Sequence, residues 1–297
     1  MLSTEKEQAD FCTEFNISAE KFRNSRLTWV ELEQIAEDFE RKRNEHQNTV
    51  KQYAEVLQKC LAVHSLSYRV KDTKHLIEKI IRKNPKYLET GNALSLENYE
   101  REMTDLMGIR LLLLFKEDWL EVHDYLMKMY DNVLFEEPFA YVREGDNTHL
   151  YENKIKIRKE KPYRSVHYVI RADKGLAIEI QVRTLYEEAW SEIDHKLRYP
   201  YNLTNEMLAN YINIMNRLTG MGDEMGTFIN SYIKNFQESL YAGVTDDNEV
   251  YHFILHEIEK CDNVEVKQAI VDKIKQADNY REVKKIADLL KNILQYT

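Results

Sequence analysis

The sequence predicts an α+β protein in which helices flank a mixed β-sheet and a helical extension follows at the C-terminal end. Two observations support this fold class. Only 8 Gly and 4 Pro occur among 297 residues, so few residues interrupt long helices. Segments with helical spacing also alternate with short apolar runs typical of strands. Their order, helix, strand, helix, strands and helix, favours a sheet layered against helices.

The N-terminal half contains four predicted helices and one buried strand. Apolar residues between Trp29 and Leu61 recur at three- and four-residue spacing, which indicates one long helix. Thr73 to Lys83 has the pattern of a short basic helix, and residues 94–105 that of a helix leading into the next strand. The apolar run Ile109 to Phe115 predicts a buried strand, and Trp119 to Tyr130 is again helical.

A β-hairpin is expected in the middle of the chain. Val166 to Ile170 has strand character, and Asp173 to Gly175 forms a turn. From Leu176 to Val182, apolar residues then alternate with Ala177, Glu179 and Gln181, which is the two-residue period of a strand with one polar face. After Thr184 the pattern is helical through Lys196, and Pro200 is expected to end that helix.

The last third of the chain is predicted to be helical. Residues 204–240 place apolar side chains near heptad spacing, 243–248 resemble a turn, and 249–297 have the pattern of two or three amphipathic helices. We therefore expect a helical lead (1–66), a catalytic domain (67–200) and a helical extension (201–297). Such apolar stripes most often pack in a core, but a partner groove or a homo-oligomer through the C-terminal helices stays an open alternative.

Composition limits the functional classes. The formal net charge of −9 argues against a general nucleic-acid coat protein, because phosphate contacts dominate such binding. No run approaches the ~20 apolar residues of a membrane span. The three cysteines lie far apart, without metal-ligand spacing, which fits a reducing compartment. We expect a cytoplasmic protein with no membrane partner.

The polar residues of the hairpin form the strongest candidate site. Glu179, Gln181 and Arg183 share one strand face, and a polar cluster of Tyr163, Arg164, Ser165 and His167 precedes them. A carboxylate, donors and an aromatic ring together suit a phosphate ester with a base attached. Asp105 stands just before the buried strand. If the two strands are neighbours, Asp105 and Glu179 converge as the two hard oxygen ligands that Mg²⁺ accepts beside a polyphosphate.

Four segments in order carry a family resemblance: RVK at residues 69–71 with Lys79, DLMGIR at 105–110, YRSVH at 163–167 and EIQVRT at 179–184. Over roughly residues 40–200 the chain resembles the synthetase domain of the RelA/SpoT family of alarmone synthetases. The resemblance implies a nucleotidyltransferase-like mixed sheet. It also implies a Mg²⁺-dependent GTP/GDP diphosphokinase that transfers the β,γ-pyrophosphate of ATP to the 3′-hydroxyl of GDP or GTP, making (p)ppGpp.

The resemblance also implies residue roles. Asp105 and Glu179 would hold the metal and carry catalysis, with Glu179 also able to accept the hydroxyl proton. The adenine and phosphates of ATP would meet Arg69, Lys71, Lys79 and Arg110, because guanidinium planes stack and ammonium groups act as point charges. The acceptor would meet Tyr163, whose ring stacks on guanine. Further acceptor contacts are expected from Arg164, Ser165, His167, Gln181 and Arg183.

Other functions remain to be weighed. The toxic branch of the family pyrophosphorylates the 3′ end of tRNA instead, and the basic run from Lys154 to Lys161 could hold an RNA backbone. A catalytically inactive nucleotide-sensing or antitoxin-binding module is disfavoured, because Asp105 and Glu179 are both present. The dipeptide His123-Asp124 matches the metal-dependent hydrolase of longer family members, but it lies inside the synthetase-like stretch and is rejected.

Overall fold

The computed structural model describes residues 2–143, 145–159, 163–198 and 204–242, with side chains through residue 234. The chain divides into two compact units, Met1–Thr227 and Phe228–Thr297, and the fold below is that of the first. The expected end at Pro200, the turn at 243–248 and the helices of 249–297 lie outside the described residues. The three-segment division expected from the sequence stays a prediction.

Six strands form one mixed sheet in the order β1-β2-β6-β5-β3-β4. The pairs β2/β6 and β3/β4 are parallel, and the other neighbours are antiparallel. The strands span Ser65–Val70 (β1), Met107–Leu113 (β2), Phe139–Val142 (β3), Lys156–Lys159 (β4), Ser165–Arg171 (β5) and Ala177–Thr184 (β6). The fold class predicted from the sequence is confirmed.

The described part of the chain contains eight α-helices. They span Glu5–Glu14 (α1), Ala19–Ser25 (α2), Trp29–Leu57 (α3), Thr73–Glu89 (α4), Tyr99–Glu102 (α5), Trp119–Tyr130 (α6), Leu185–Leu197 (α7) and Glu206–Ala242 (α8). Side-chain caps fix several starts: Thr28 caps α3, Asp72 caps α4 and Thr184 caps α7. Among the described helices, none is both long and apolar enough to cross a membrane.

The two faces of the sheet differ because successive strand residues point to opposite sides. One face is apolar and packs against α6 and the C-terminal half of α3, with Tyr168, Ile178 and Ile180 fully buried. The other face carries the polar and charged residues of β1, β2, β5 and β6. A second apolar core joins α1 through α5 around Leu32, Phe39 and other buried residues. The polar face is thereby held on a rigid apolar base.

Most sequence-predicted elements are present, with shifted ends. The hairpin of β5 and β6, the strand β2 and the helix α6 are confirmed. The predicted helix at 94–105 is wrong over most of its length, because only Tyr99–Glu102 is helical. There Asn98 accepts the Ser95 amide and donates to the Ala93 carbonyl, so side-chain bonds stabilise a turn instead. Strands β1, β3 and β4 were not predicted, and helices α1 and α2 lie in the expected helical lead although neither was predicted individually.

Candidate active site

The strand register brings the predicted site residues onto one face of the sheet. Arg69 of β1 pairs in register with Gly108 of β2, which in turn pairs with Glu179 of β6. The next row runs from Arg110 to Gln181 and then to His167. A cleft over these rows is lined by Ser67, Tyr68, Arg69, Asp105, Gly108, Ile109, Arg110, Glu179 and Gln181.

Gly108 leaves the floor of this cleft open. It lies between Arg69 and Glu179, and a Cβ atom there would approach the Arg69 Cγ atom at 3.9 Å and the Glu179 carbonyl at 4.0 Å. A small methyl group would therefore fit, whereas a larger side chain would fill the space between the arginine and the carboxylate. The motif DLMGIR thus combines an acid, an open floor and a guanidinium within six residues.

Asp105 lies at the entrance to β2 between two lysines. Its Oδ2 atom is 2.9 Å from Lys71 Nζ and 2.5 Å from Lys79 Nζ. Burial raises the pKa of this carboxyl, but the two ammonium groups outweigh burial and lower the pKa to about 2. Asp105 is therefore ionised at neutral pH. Its other oxygen, Oδ1, is buried and has no hydrogen-bond partner among the described residues.

Glu179 is the centre of a second polar cluster. Its Oε1 atom lies 3.0 Å from His167 Nδ1, and its Oε2 atom accepts a hydrogen bond of 3.0 Å from Gln181. Burial favours the neutral acid, yet the hydrogen bond and charge of His167 are stronger, so the pKa of Glu179 lies below its ordinary value. The carboxylate is therefore kept charged and oriented by two neighbours on the same sheet face.

Glu188 of α7 connects two of the predicted arginines. It forms ion pairs with Arg110 and, at 2.9 Å, with Arg183. Arg110 also contacts Glu192 at 2.8 Å, one helical turn further along α7. The sequence analysis did not single out Glu188. The available sequence signal was its position. Glu188 lies four residues after the Thr184 cap, on the helix that directly follows β6.

Tyr163 lies on the β5–β3 side of the polar sheet face. Its hydroxyl accepts a hydrogen bond from Arg183, whose guanidinium lies 5.0 Å from the centre of the tyrosine ring. Tyr141 meets the same ring edge-on at 5.4 Å. The His167 ring is 6.1 Å away and stacks on Phe139. The rings of Phe139 and Tyr141 on β3, together with His167 on β5, thus border the Glu179 carboxylate.

Arg164 is placed away from the cleft. Its guanidinium is 7% exposed and forms two hydrogen bonds with Asp146, the shorter of 2.6 Å. It also donates to the Asn216 carbonyl of α8 at 3.3 Å. Ser165 is buried as well. The sequence suggested phosphate contacts for both residues, but in this structure Arg164 joins the sheet to α8.

One cation near the site was not predicted. Burial, and then the charge of Lys79, lower the pKa of Lys83, which also feels the charge of Asp105. Lys83 lines a second cleft on α4, together with Arg82, Lys86, Tyr87 and Thr90. Helix α4 therefore presents a cationic row that continues from Lys79 away from the sheet. The one-turn spacing of these cations is visible in the sequence, but lysines at such spacing most often lie on a solvated helix face, so the sequence alone did not single out Lys83.

Comparison with known proteins agrees with the motif resemblance. Residues 68–204 match a family described as the region found in RelA / SpoT proteins. GTP pyrophosphokinase YjbM of Bacillus subtilis (strain 168) is 31% identical over 123 residues, covering 39% of this chain and 52% of the relative. GTP pyrophosphokinase YwaC of the same organism is 24% identical over 154 residues, covering 47% and 62%.

Solved structures show the same fold. The crystal structure of small alarmone synthetase 1 from Bacillus subtilis matches with a TM-score of 0.52 at 21% identity, covering 67% of this chain and 98% of that chain. The same enzyme bound to its product pppGpp matches with a TM-score of 0.50 at 22% identity, covering 66% and 98%. The chain spans about half the length of the first curated relative. The resemblance stated from the four motifs is confirmed.

Proposed function

We propose that this chain, which carries a RelA/SpoT region at residues 68–204, is a small alarmone synthetase. It transfers the β,γ-pyrophosphate of ATP to the 3′-hydroxyl of GDP or GTP, with Mg²⁺ as cofactor, and releases AMP. One observation carries the proposal: Asp105, at the entrance to β2, and Glu179, on the neighbouring parallel strand β6, line one cleft together with two arginines, and two lysines contact Asp105. The names of the two curated relatives support the guanosine acceptor.

The residues fit a magnesium ion. Asp105 offers a buried oxygen with no hydrogen-bond partner, and Glu179 offers a second carboxylate in the same cleft. Among the described residues, no three or more Asp, Glu, His or Cys side chains are grouped so that they could hold a metal ion by themselves. Two carboxylates suit Mg²⁺, which completes its shell with water and substrate phosphates. When bound, the ion would neutralise the charge that develops on the phosphate oxygens.

The donor nucleotide is assigned to the β1–β2 side of the cleft. Arg69 and Arg110 both line it and can flank an adenine ring with their guanidinium planes. Lys71 and Lys79 contact Asp105, and their ammonium groups can also meet the phosphates. Such point charges stabilise a polyphosphate without imposing one geometry.

The acceptor is assigned to the β5–β3 side. Tyr163 supplies a ring for the guanine, and Arg183 and His167 lie around that ring. Glu179, fixed by His167 and Gln181, accepts a hydrogen bond from the 3′-hydroxyl and aims its oxygen at the β-phosphorus. The hydroxyl oxygen forms a bond to that phosphorus, the bond to the α,β-bridging oxygen breaks, and AMP leaves. The hydroxyl proton passes to Glu179.

The contacts of the basic run that begins at Lys154 favour a mononucleotide over tRNA as the acceptor. Lys156 forms an ion pair with Glu137, and Arg158 lies 3.6 Å from Glu136 while its guanidinium covers the Phe139 ring at 3.4 Å. Two cations of the described part are thus paired with local glutamates. An RNA backbone would have to compete with these contacts, which reduces the gain from each phosphate.

Labelled ATP tests the proposal directly. Purified protein with Mg²⁺ is incubated with γ-³²P-ATP and GDP, GTP, ATP or deacylated tRNA. We expect label in a guanosine tetra- or pentaphosphate, and α-³²P-ATP should label AMP only, because the α-phosphate stays with the leaving group. Label in tRNA alone would assign the chain to the tRNA-modifying class. No transfer to any acceptor, from a folded protein that binds ATP, would contradict the enzymatic assignment.

A further inference from the structure

Glu188 of α7 forms a bridge between two arginines on neighbouring strands. Its Oε1 atom accepts a hydrogen bond from Arg110 on β2, and its Oε2 atom accepts one of 2.9 Å from Arg183 on β6. The Glu188 side chain is 15% exposed and that of Arg183 is 4% exposed. Charge-assisted hydrogen bonds between groups with so little exposure are strong and directional. The Glu188 bridge therefore fixes the orientation of one guanidinium relative to the other.

The Arg183 end of the bridge leads to the acceptor side. Besides its contact with Glu188, Arg183 donates to the Tyr163 hydroxyl and, at 3.0 Å, to the side-chain oxygen of Gln181. Gln181 donates in turn to Glu179 at 3.0 Å. Arg183 therefore orients both the ring that is proposed to stack on guanine and, through one amide, the carboxylate that is proposed to accept the hydroxyl proton.

The Arg110 end of the bridge leads to the donor side, because Arg110 lines the cleft over β1 and β2. A second acid, Glu192, lies 2.8 Å from the same Arg110 nitrogen, and its side chain is 60% exposed. Among the ion pairs of the described residues, Glu192 contacts Arg110 and not Arg183. The two glutamates are one helical turn apart, yet only the first reaches both sides of the site.

One shared carboxylate makes the two arginines interdependent. An adenine that stacks on Arg110 restricts its guanidinium, and through Glu188 it also restricts Arg183 and the groups that Arg183 orients. The first nucleotide thus bears part of the ordering that the second would otherwise require. We propose that Glu188 is a positioning residue that couples the donor and acceptor subsites, so that each nucleotide tightens binding of the other. This coupling presupposes the donor and acceptor sides of the proposed function.

Calorimetry on the full chain measures the coupling. The donor probe is α,β-methylene-ATP with Mg²⁺, in which a methylene group replaces the α,β-bridging oxygen so that no transfer occurs, and the acceptor probe is GDP. In the parent, the saturating analogue should lower the Kd of GDP at least ~5-fold. Saturating GDP should lower the Kd of the analogue by the same factor, because coupling between two binding sites is reciprocal.

Two variants of equal size separate the bridge from a simple ion pair. Glu188→Gln should reduce the coupling factor to less than ~2-fold, because an amide accepts from one guanidinium and directs its own N–H donors at the other. Glu192→Gln, the matched control, loses a contact with Arg110 only and should keep the parental factor. If circular dichroism shows that Glu188→Gln is unfolded, Glu188→Asp takes its place. Its carboxylate is one methylene shorter and loses at least one of the two contacts, so the factor should fall as well.

The outcomes distinguish this role from the proposed function. A parent without coupling, or a folded Glu188 variant with the parental factor, overturns the bridging role. Loss of coupling in the Glu192 variant as well would assign the effect to any partner of Arg110 and also overturns it. In each of these cases, labelled guanosine product from the parent would leave the proposed function intact. A parent that binds the analogue but neither GDP nor GTP contradicts the proposed acceptor, and the coupling with it.

Discussion

At the scale of single residues, the site depends on carboxylates that stay charged while buried. Asp105 is held by two lysines and Glu179 by His167, so the pKa of each carboxyl is below its ordinary value. A buried charge without such partners would neutralise. The same contacts keep both acids ready for a cation at neutral pH. Charge, rather than shape, is therefore the property that substitutions should probe.

Removing that charge at constant size should abolish transfer. We expect Glu179→Gln and Asp105→Asn each to lower the transfer rate more than ~100-fold, because each removes a negative charge from the polyphosphate site. The melting temperature should stay close to the parent value. The exposed Glu97→Gln serves as a control and should retain full activity. Near-parental turnover of either folded site variant would contradict the metal-site assignment.

The aromatic ring of Tyr163 should separate the acceptor from the donor. Tyr163→Ala should raise the KM for GDP or GTP about 10-fold or more, since base stacking contributes ~1–3 kcal/mol. ATP affinity, measured by calorimetry, should change only a few-fold. Tyr163→Phe keeps the ring and loses only the hydroxyl contact with Arg183, so its KM should stay nearer the parent. A collapse of ATP binding with unchanged acceptor dependence would reverse the orientation of the site.

At the scale of elements, glycines set how closely the first part of helix α8 packs within the first unit. A Cβ atom on Gly220 would lie 2.8 Å from Arg164 Nη2, and that guanidinium is fixed by Asp146. A Cβ atom on Gly226 would meet only ring atoms of Phe115 at 3.8 Å or beyond. Glycine inside a helix otherwise costs about 1 kcal/mol relative to alanine. The two positions therefore predict opposite outcomes.

Alanine substitution measures this fit. Gly226→Ala should raise the melting temperature by about 2–4 °C, because it gains helix propensity without a clash. Gly220→Ala should lower the melting temperature, because the new methyl group displaces Arg164 from its ion pair with Asp146. Thermal unfolding of both variants beside the parent gives the comparison. Equal stabilisation by both alanines would show that α8 does not dock at Gly220.

A buried acid on the same helix makes the stability of the protein depend on pH. Burial, and then the charge of Glu187, raise the pKa of Asp223 from 3.8 to about 7, although Thr184 donates a hydrogen bond to it. An acid with a raised folded-state pKa binds its proton more tightly when folded. Its contribution to stability is therefore fully present below pH ~4 and is lost as the pH rises to about 7.

Asp223→Asn should remove this loss while the amide oxygen still accepts from Thr184. We expect the variant to be more stable than the parent at pH 8, by about 3–6 °C, with little difference near pH 4. Melting temperatures across pH 4 to 8 test the expectation. A parent and a variant with parallel pH profiles would show that Asp223 does not titrate in this range.

At the scale of the whole molecule, the sequence predicted the fold where local patterns were decisive. The hairpin of β5 and β6 was predicted because alternating apolar residues flank a three-residue turn. Strand β1, Ser65–Val70, was missed because its burial alternates only weakly and its pairing with β2 is non-local. The polar set around Glu179 was visible as one strand face. The position of Arg164 beside α8 could not be predicted in this way, because it depends on a helix some 50 residues later in the chain.

The overall charge bears on the choice between a mononucleotide and tRNA. The protein carries a formal net charge of −9, so an RNA substrate would depend on a local basic surface. Lys154, Lys156 and Lys159 are the exposed lysines of that surface in the described residues, and Lys156 already contacts Glu137. A single GDP or GTP engages few phosphates, whereas a tRNA engages many. The two acceptors therefore differ in their sensitivity to these lysines and to salt.

Reversal of Lys154, Lys156 and Lys159 to glutamate should leave measurable guanosine tetra- or pentaphosphate synthesis. The control changes three other exposed lysines, Lys6, Lys59 and Lys128, to glutamate, which alters the net charge equally. We expect the two triple variants to differ less than ~10-fold in transfer to GDP or GTP, and the parent to show a shallow salt dependence. Each released counterion steepens the salt slope, so an RNA substrate would give a steep one. Transfer to tRNA by the parent and by the control, lost only in the first triple variant, would replace the mononucleotide acceptor with tRNA.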